Sequence, residues 1–192
     1  MACSGAQDSE PPAITVTVAH PNGWKALTPD LIDDLARTAA QAPDTAAYVL
    51  SHAHARVRDA LTPGLIVALT RAALRNPYTA AEVLVHAYER TWNVLPADLI
   101  VALARAAMQS PRAASEVLTR AHERAWSALS PDLVFDLAHA ASKEVDAFTC
   151  VLAALKERPA GGIEARNAIR SALVACVQHR SDTAERYSGT SP

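Results

Sequence analysis

The chain has 192 residues, half of them apolar but only 5% aromatic, with three cysteines and a formal net charge of −2. This length supports one domain with a sizeable core, and the alanine that fills much of the apolar share favours closely packed helices. The charge excludes bulk electrostatic recruitment of nucleic acid or anionic membrane, and apolar runs of about six residues fall far short of a membrane span. Cys3, Cys150 and Cys176 are far apart and make neither a disulfide framework nor a metal-ligand spacing.

Residues 1–23 read as a disordered or extended lead-in. Met1 to Pro12 carries Asp8 and Glu10 without Arg or Lys, which fits neither a secretory signal nor an organellar transit peptide, so a reduced, cytoplasmic setting is expected. Ile14-Thr15-Val16-Thr17-Val18 alternates like a short strand with no second strand to pair it, and Asn22-Gly23 is a turn signal.

From residue 24 the chain repeats itself. Leu27-Thr28-Pro29-Asp30-Leu31-Ile32 returns after 34 residues as Leu61-Thr62-Pro63-Gly64-Leu65-Ile66, then as Leu95-Pro96-Ala97-Asp98-Leu99-Ile100 and Leu129-Ser130-Pro131-Asp132-Leu133-Val134. A fixed period of this length is the signature of stacked-repeat architecture. The expected fold is all-α, a right-handed αα-solenoid of four 34-residue helix-pair repeats plus a C-terminal capping helix, occupying residues 24–179. The units lie near 27–60, 61–94, 95–128 and 129–162. The capping helix, 163–179, follows the Pro159-Ala160-Gly161-Gly162 break and carries an apolar stripe of Ala165, Ile169, Leu173 and Cys176. A flexible polar tail, 180–192, ends the chain.

Each unit predicts a first helix opened by Thr28, Thr62 or Ser130 as N-cap, with Pro29, Pro63 or Pro131 at the first helical position. In the third unit Pro96 takes the cap position. Leu27 with Ile32, and its counterparts Leu61–Ile66, Leu95–Ile100 and Leu129–Val134, form hydrophobic staples. Second helices start near Pro43, Pro77 and Pro111, with Asn76 and Ser110 as good caps and Ala42 a poor one; the fourth starts at Asp146. Their core stripe is Ala46, Val49, Leu50 and Ala53, copied by Ala80, Val83, Leu84 and Ala87, by Ala114, Val117, Leu118 and Ala121, and by Phe148, Val151, Leu152 and Leu155. Their polar residues, Tyr48, Ser51, His52, Glu82, His86, Glu89, Glu116, Arg120 and Glu123, read as a solvated outer face.

The first helices of the second and third units are apolar nearly all round, as in Leu65-Ile66-Val67-Ala68-Leu69. A helix of that kind must be covered on more than one side, so these helices are expected to line a concave surface. Val67, Val101 and Phe135 lie on that surface and read either as apolar anchors for a partner helix or peptide or as side chains buried where curvature crowds the inner helices. Arg37, Arg71, Arg105 and His139 fill one column at 34-residue spacing, which reads either as a groove for an acidic partner or as helix-end charges complementing the dipole. Arg56, Arg90, Arg124 and Arg158 form a second column suited to capping carbonyls and covering the next unit, with Asp98 and Asp132 as inter-repeat ion-pair candidates. Trp24, Trp92 and Trp126 share a third column, completed by Arg58; turn packing and base stacking are its two readings.

Nothing in the sequence supplies catalysis. His122-Glu123 lacks a second histidine four residues on, because Trp126 stands there, and no nucleotide-binding glycine loop exists. The expectation is no enzyme, no catalytic residues, no metal and no cofactor.

The 34-residue two-helix unit is similar in length and layout to tetratricopeptide repeats, without their Gly and Tyr positions. Leu-Thr-Pro-Asp followed by Ile32, Leu35 and Ala36 resembles the opening of transcription-activator-like effector repeats. Their variable pair and following Gly-Gly are replaced here by Thr38-Ala39, Ala72-Ala73, Ala106-Ala107 and Ala140-Ala141, so the resemblance implies no base-reading code. The Ser/Thr-Pro-x-Leu opening with a later Pro also looks like octotricopeptide and heptatricopeptide repeats, which implies RNA binding through first helices. The leading expectation is a protein- or peptide-binding adaptor or a subunit of a larger assembly or oligomer. The alternative is single-stranded RNA or DNA along the arginine column. No membrane partner is expected.

Overall fold

Helix starts fall where the sequence puts its caps. The computed structural model describes residues 28–157, 166–167, 169–175 and 178. Its helices run in the order α1 (Pro29–Ala39), α2 (Pro43–His52), α3 (Ala55–Ala60), α4 (Pro63–Ala73), α5 (Pro77–His86), α6 (Glu89–Val94), α7 (Ala97–Ala107), α8 (Pro111–Arg120), α9 (Glu123–Ala128), α10 (Pro131–Ala141) and α11 (Val145–Glu157). Residues 166–167, 169–175 and 178 are also helical, and no strand occurs among the described residues. The fold class is therefore all-α. The short strand expected at Ile14–Val18, the lead-in 1–23 and the tail 180–192 lie outside the described residues.

The hydroxyl oxygens of Thr28, Thr62 and Ser130 accept from the backbone N–H of Leu31, Leu65 and Leu133 at 3.3, 3.4 and 3.2 Å. Asn76 and Ser110 cap α5 and α8 in the same way, whereas Pro96 and Ala42 supply no side-chain bond to α7 and α2. Each such cap contributes about 1 kcal/mol. The fourth unit's second helix starts at Val145, one residue before the expected Asp146.

The core is built from two stripes. Ile32, Ile66, Ile100 and Val134, with Leu69, Leu103 and Leu137, come from the first helices; Val49, Leu50, Val83, Leu84, Val117 and Leu118 come from the second. Small residues at the contacts, Ala46, Ala47, Ala80, Ala81, Ala113 and Ala114, are fully or almost fully buried and let helix axes approach closely. Each second helix packs most extensively on the next first helix, α2 on α4, α5 on α7 and α8 on α10. Second helices also pack on one another more closely than first helices do.

A further departure concerns the helix pair. The segments expected as single second helices are broken at Ala53, Ala87 and Ala121, each in an extended conformation with φ between −61° and −55° and ψ near 145°. A six-residue third helix follows each break, namely α3, α6 and α9. Alanine is the best helix former, so the break is tertiary in origin. It frees a donor and an acceptor that pair between neighbouring units: the Tyr88 N–H donates to the Leu50 carbonyl at 3.3 Å, and the His122 N–H to the Leu84 carbonyl at 2.9 Å. In the fourth unit α11 runs through the equivalent position unbroken. Glu89 and Glu123 thus belong to third helices, and Ser51 is buried with its hydroxyl donating to the Ala47 carbonyl at 2.5 Å.

Candidate functional site

The first helices α4, α7 and α10 turn Leu65, Ile66, Leu69, Thr70, Ala72 and Ala73, or their counterparts, into the core. What remains outward falls in rows, because adjacent first helices touch. One row is Asp33, Val67, Val101 and Phe135. A second, one helical turn on, is Arg37, Arg71, Arg105 and His139. A third is Asp34, Ala68, Ala102 and Asp136. Val67 and Val101 are half-buried against the core, whereas Phe135 is 41% exposed. Arg37 is tied to Asp33 across one turn at 2.7 Å. Arg71 and Arg105 are exposed, and neither forms an ion pair or hydrogen bond with the described residues. His139 is exposed at the end of its row. The seven residues expected to carry binding are thus brought onto one face, apolar and partly basic at its centre and acidic at its ends.

The tryptophan column lies elsewhere. Trp24 is outside the described residues. Trp92 and Trp126 are buried, at 4% and 8% exposure. The Trp92 indole N–H donates to the Ala87 carbonyl at 2.9 Å, and its ring stacks on His122 of the next unit with centroids 5.0 Å apart and planes at 11°. Arg58 plays the equivalent role in the preceding unit, its guanidinium 4.5 Å from the centroid of the Tyr88 ring. The Tyr88 hydroxyl donates to the Ala53 carbonyl at 2.8 Å, and burial holds this phenol above its ordinary pKa while Arg58 opposes the shift. Burial of both indoles favours the turn-packing reading of this column over base stacking for Trp92 and Trp126.

The second arginine column also serves the joints between units. Arg90 reaches back to the carbonyls of Asp59 and Leu61 at 2.6 and 3.2 Å, at the end of the preceding third helix. Arg124 bonds the Asn93 side-chain oxygen and pairs with Glu89 at 2.9 Å. Among the described residues neither arginine pairs with Asp98 or Asp132; the ion pair Arg124 makes is with Glu89, earlier in the chain. The side chain of Arg56 and the whole of Arg158 lie outside the described residues.

Between α11 and the final helical residues lies a groove of about 500 Å³ lined by Phe148, Leu152, Leu155, Leu173 and Val174, with Arg166 and Arg170 at its side. Periodicity alone does not reveal it. Its signal is substitution within a column: Phe148 and Leu155 stand where the other units have small alanines. On the outer second-helix surface, His52 stacks on Tyr48 and meets Glu82 at 3.3 Å, and His86 lies 3.5 Å from Arg120. Among the described residues no group of three His, Cys, Asp or Glu is placed to hold a metal ion, and no helix is long and apolar enough to cross a membrane.

No family model, curated protein or solved structure matches the chain.

Proposed function

We propose that the chain is a non-enzymatic helical-repeat module, an αα-solenoid of 34-residue units, that takes a protein or peptide partner on the outward face of its first helices. The observation that carries this reading is the pairing of Val67 and Val101 with Arg71 and Arg105, two cations without a described partner beside partly open apolar side chains. Apolar anchors with charges beside them give a partner affinity and register respectively. The chemistry fits an amphipathic segment with acidic residues along one edge. Asp33, Asp34 and Asp136 bound the same face, and a continuous polyanion would meet them as repulsion, which counts against the nucleic-acid reading. The buried indoles count against it as well.

The test is affinity capture compared between the wild type and the double charge reversal Arg71→Glu/Arg105→Glu, with and without nuclease. A defined partner held by the wild type in the presence of nuclease and lost by the variant supports the proposal. Unchanged capture by the variant overturns the assignment to this face. Tight binding to mixed single-stranded oligonucleotides that falls steeply with salt would replace it with the nucleic-acid reading.

A further inference from the structure

The two ends of the described array expose surfaces that elsewhere in the chain pack against each other. Leu50, Leu84 and Leu118 share one column of the second helices and are 0%, 0% and 1% exposed, whereas Leu152 in the same column is 42% exposed. Leu65, Leu99 and Leu133 share a column of the first helices and are 9%, 8% and 6% exposed, whereas Leu31 in that column is 44% exposed. Within the chain these columns lie on the element pairs that pack most extensively, α2 on α4, α5 on α7 and α8 on α10. Leu152 lies on a second helix with no further first helix of this kind after it among the described residues. Leu31 lies on a first helix with no second helix before it among the described residues.

The final helical residues cover α11 incompletely. Ile169 and Leu173 are buried, yet the groove beside Phe148, Leu152 and Leu155 stays open and Val174 is 51% exposed at its edge. Terminal units of stacked arrays ordinarily carry a polar outer face; here both ends keep a leucine at the surface. Charge adds direction. Arg170 is exposed at the groove, and Arg166 beside it holds the Leu155 carbonyl at 2.6 Å. On α1, Asp30 and Asp34 flank Leu31, are exposed, and make no ion pair with the described residues.

We infer that α1 of a second copy docks in this groove, so that chains associate head to tail with Leu31 against Leu152 and Asp30 and Asp34 near Arg166 and Arg170. The contact repeats between chains the packing used three times within one. It is heterologous, since the surfaces on the two partners differ, and it leaves one free end on each side of a dimer. It goes beyond the partner-binding face proposed above, because Arg71 and Arg105 are not involved in it.

The experiment is sedimentation velocity on the full chain over a concentration series reaching about 0.5 mM, the range in which a small interface is populated. Wild type, Leu31→Asp, Leu152→Asp and an equimolar mixture of the two variants are compared, with circular dichroism spectra and melts confirming that each is folded. The expected result is a wild-type weight-average mass that rises with concentration, two single variants that stay monomeric, and a mixture that recovers dimers and nothing larger, since each variant keeps one intact end. If Leu152→Asp fails to fold, Val174→Asp replaces it. A wild type that stays monomeric throughout, as it would with residues 1–27 of its own chain covering Leu31, overturns the inference. Association that persists in both single variants, or a mixture that fails to recover dimers, overturns it too. The Arg71→Glu/Arg105→Glu variant is expected to associate as the wild type does, so failure here and failure of the partner-binding proposal are read separately.

Discussion

Replacing Trp92 by alanine tests the joint between the second and third units. Trp92 is buried, donates its indole N–H to the Ala87 carbonyl and stacks on His122 of the following unit. Truncating a buried tryptophan to alanine costs about 3–5 kcal/mol through lost transfer energy and the cavity left behind. The stacked pair falls within the class worth about 0.5–1.5 kcal/mol beyond its area. A loss of about 4 kcal/mol is therefore expected. At roughly 3 °C per kcal/mol for a domain of this size, the melting temperature drops by about 12 °C. Urea unfolding followed by circular dichroism measures it. A sharper arm uses the chain's own alternative, in which Arg58 lies over Tyr88 at the preceding joint. Trp92→Arg combined with His122→Tyr rebuilds that pair, and the double variant is expected to be about 1 kcal/mol more stable than the two single changes predict by addition. A loss below about 1 kcal/mol for Trp92→Ala, or no coupling in the cycle, would refute the reasoning that this column holds adjacent units together.

The third unit lacks the side-chain cap that opens its neighbours. Pro96→Thr with Ala97→Pro copies the Thr62-Pro63 start and is expected to raise the unfolding free energy by about 1 kcal/mol, measured by urea titration. The raised pKa of Tyr88 means that its contribution is fully present below the ordinary phenol value of 10.0 and is lost as pH rises past it, because the unfolded chain releases the proton first. Melting temperatures taken from about pH 9 to pH 11 should fall for the wild type, with a shallower fall for Tyr88→Phe. Arg71→Glu and Arg105→Glu change exposed residues with no described partner, so each should alter stability by less than about 0.5 kcal/mol; a larger loss would place these side chains in the fold and not at a binding face.

Helix starts and core stripes are legible in the sequence because their causes are local. A threonine before a proline caps the helix it precedes, and Val83-Leu84 is buried by its own position on the helix face. The same period makes the outward rows legible, since Arg71 and Arg105 hold equal places on equivalent helices. The break at Ala53, Ala87 and Ala121 is not legible from propensity, which favours helix there. It is set by the neighbouring unit, through the backbone bonds from Tyr88 and His122 and the rings stacked beside them. In the sequence its trace is the recurrence of a ring followed by an acid, Tyr88-Glu89 and His122-Glu123, with Trp92 and Trp126 four residues after the rings. The terminal groove escapes pattern reading for a related reason. Periodicity marks Phe148, Leu152 and Leu155 as core, and only the packing shows that the final helical residues leave some of that stripe open.

The main-chain bonds from Tyr88 to Leu50 and from His122 to Leu84 lie across the seams between successive units. These bonds involve peptide groups alone, so they fix the spacing of adjacent units whatever exposed residues those units carry, while buried side chains such as Trp92 fasten the same seams from within. Exposed residues that make no contact across a seam, such as Arg71 and Arg105, can therefore change in charge without altering these bonds.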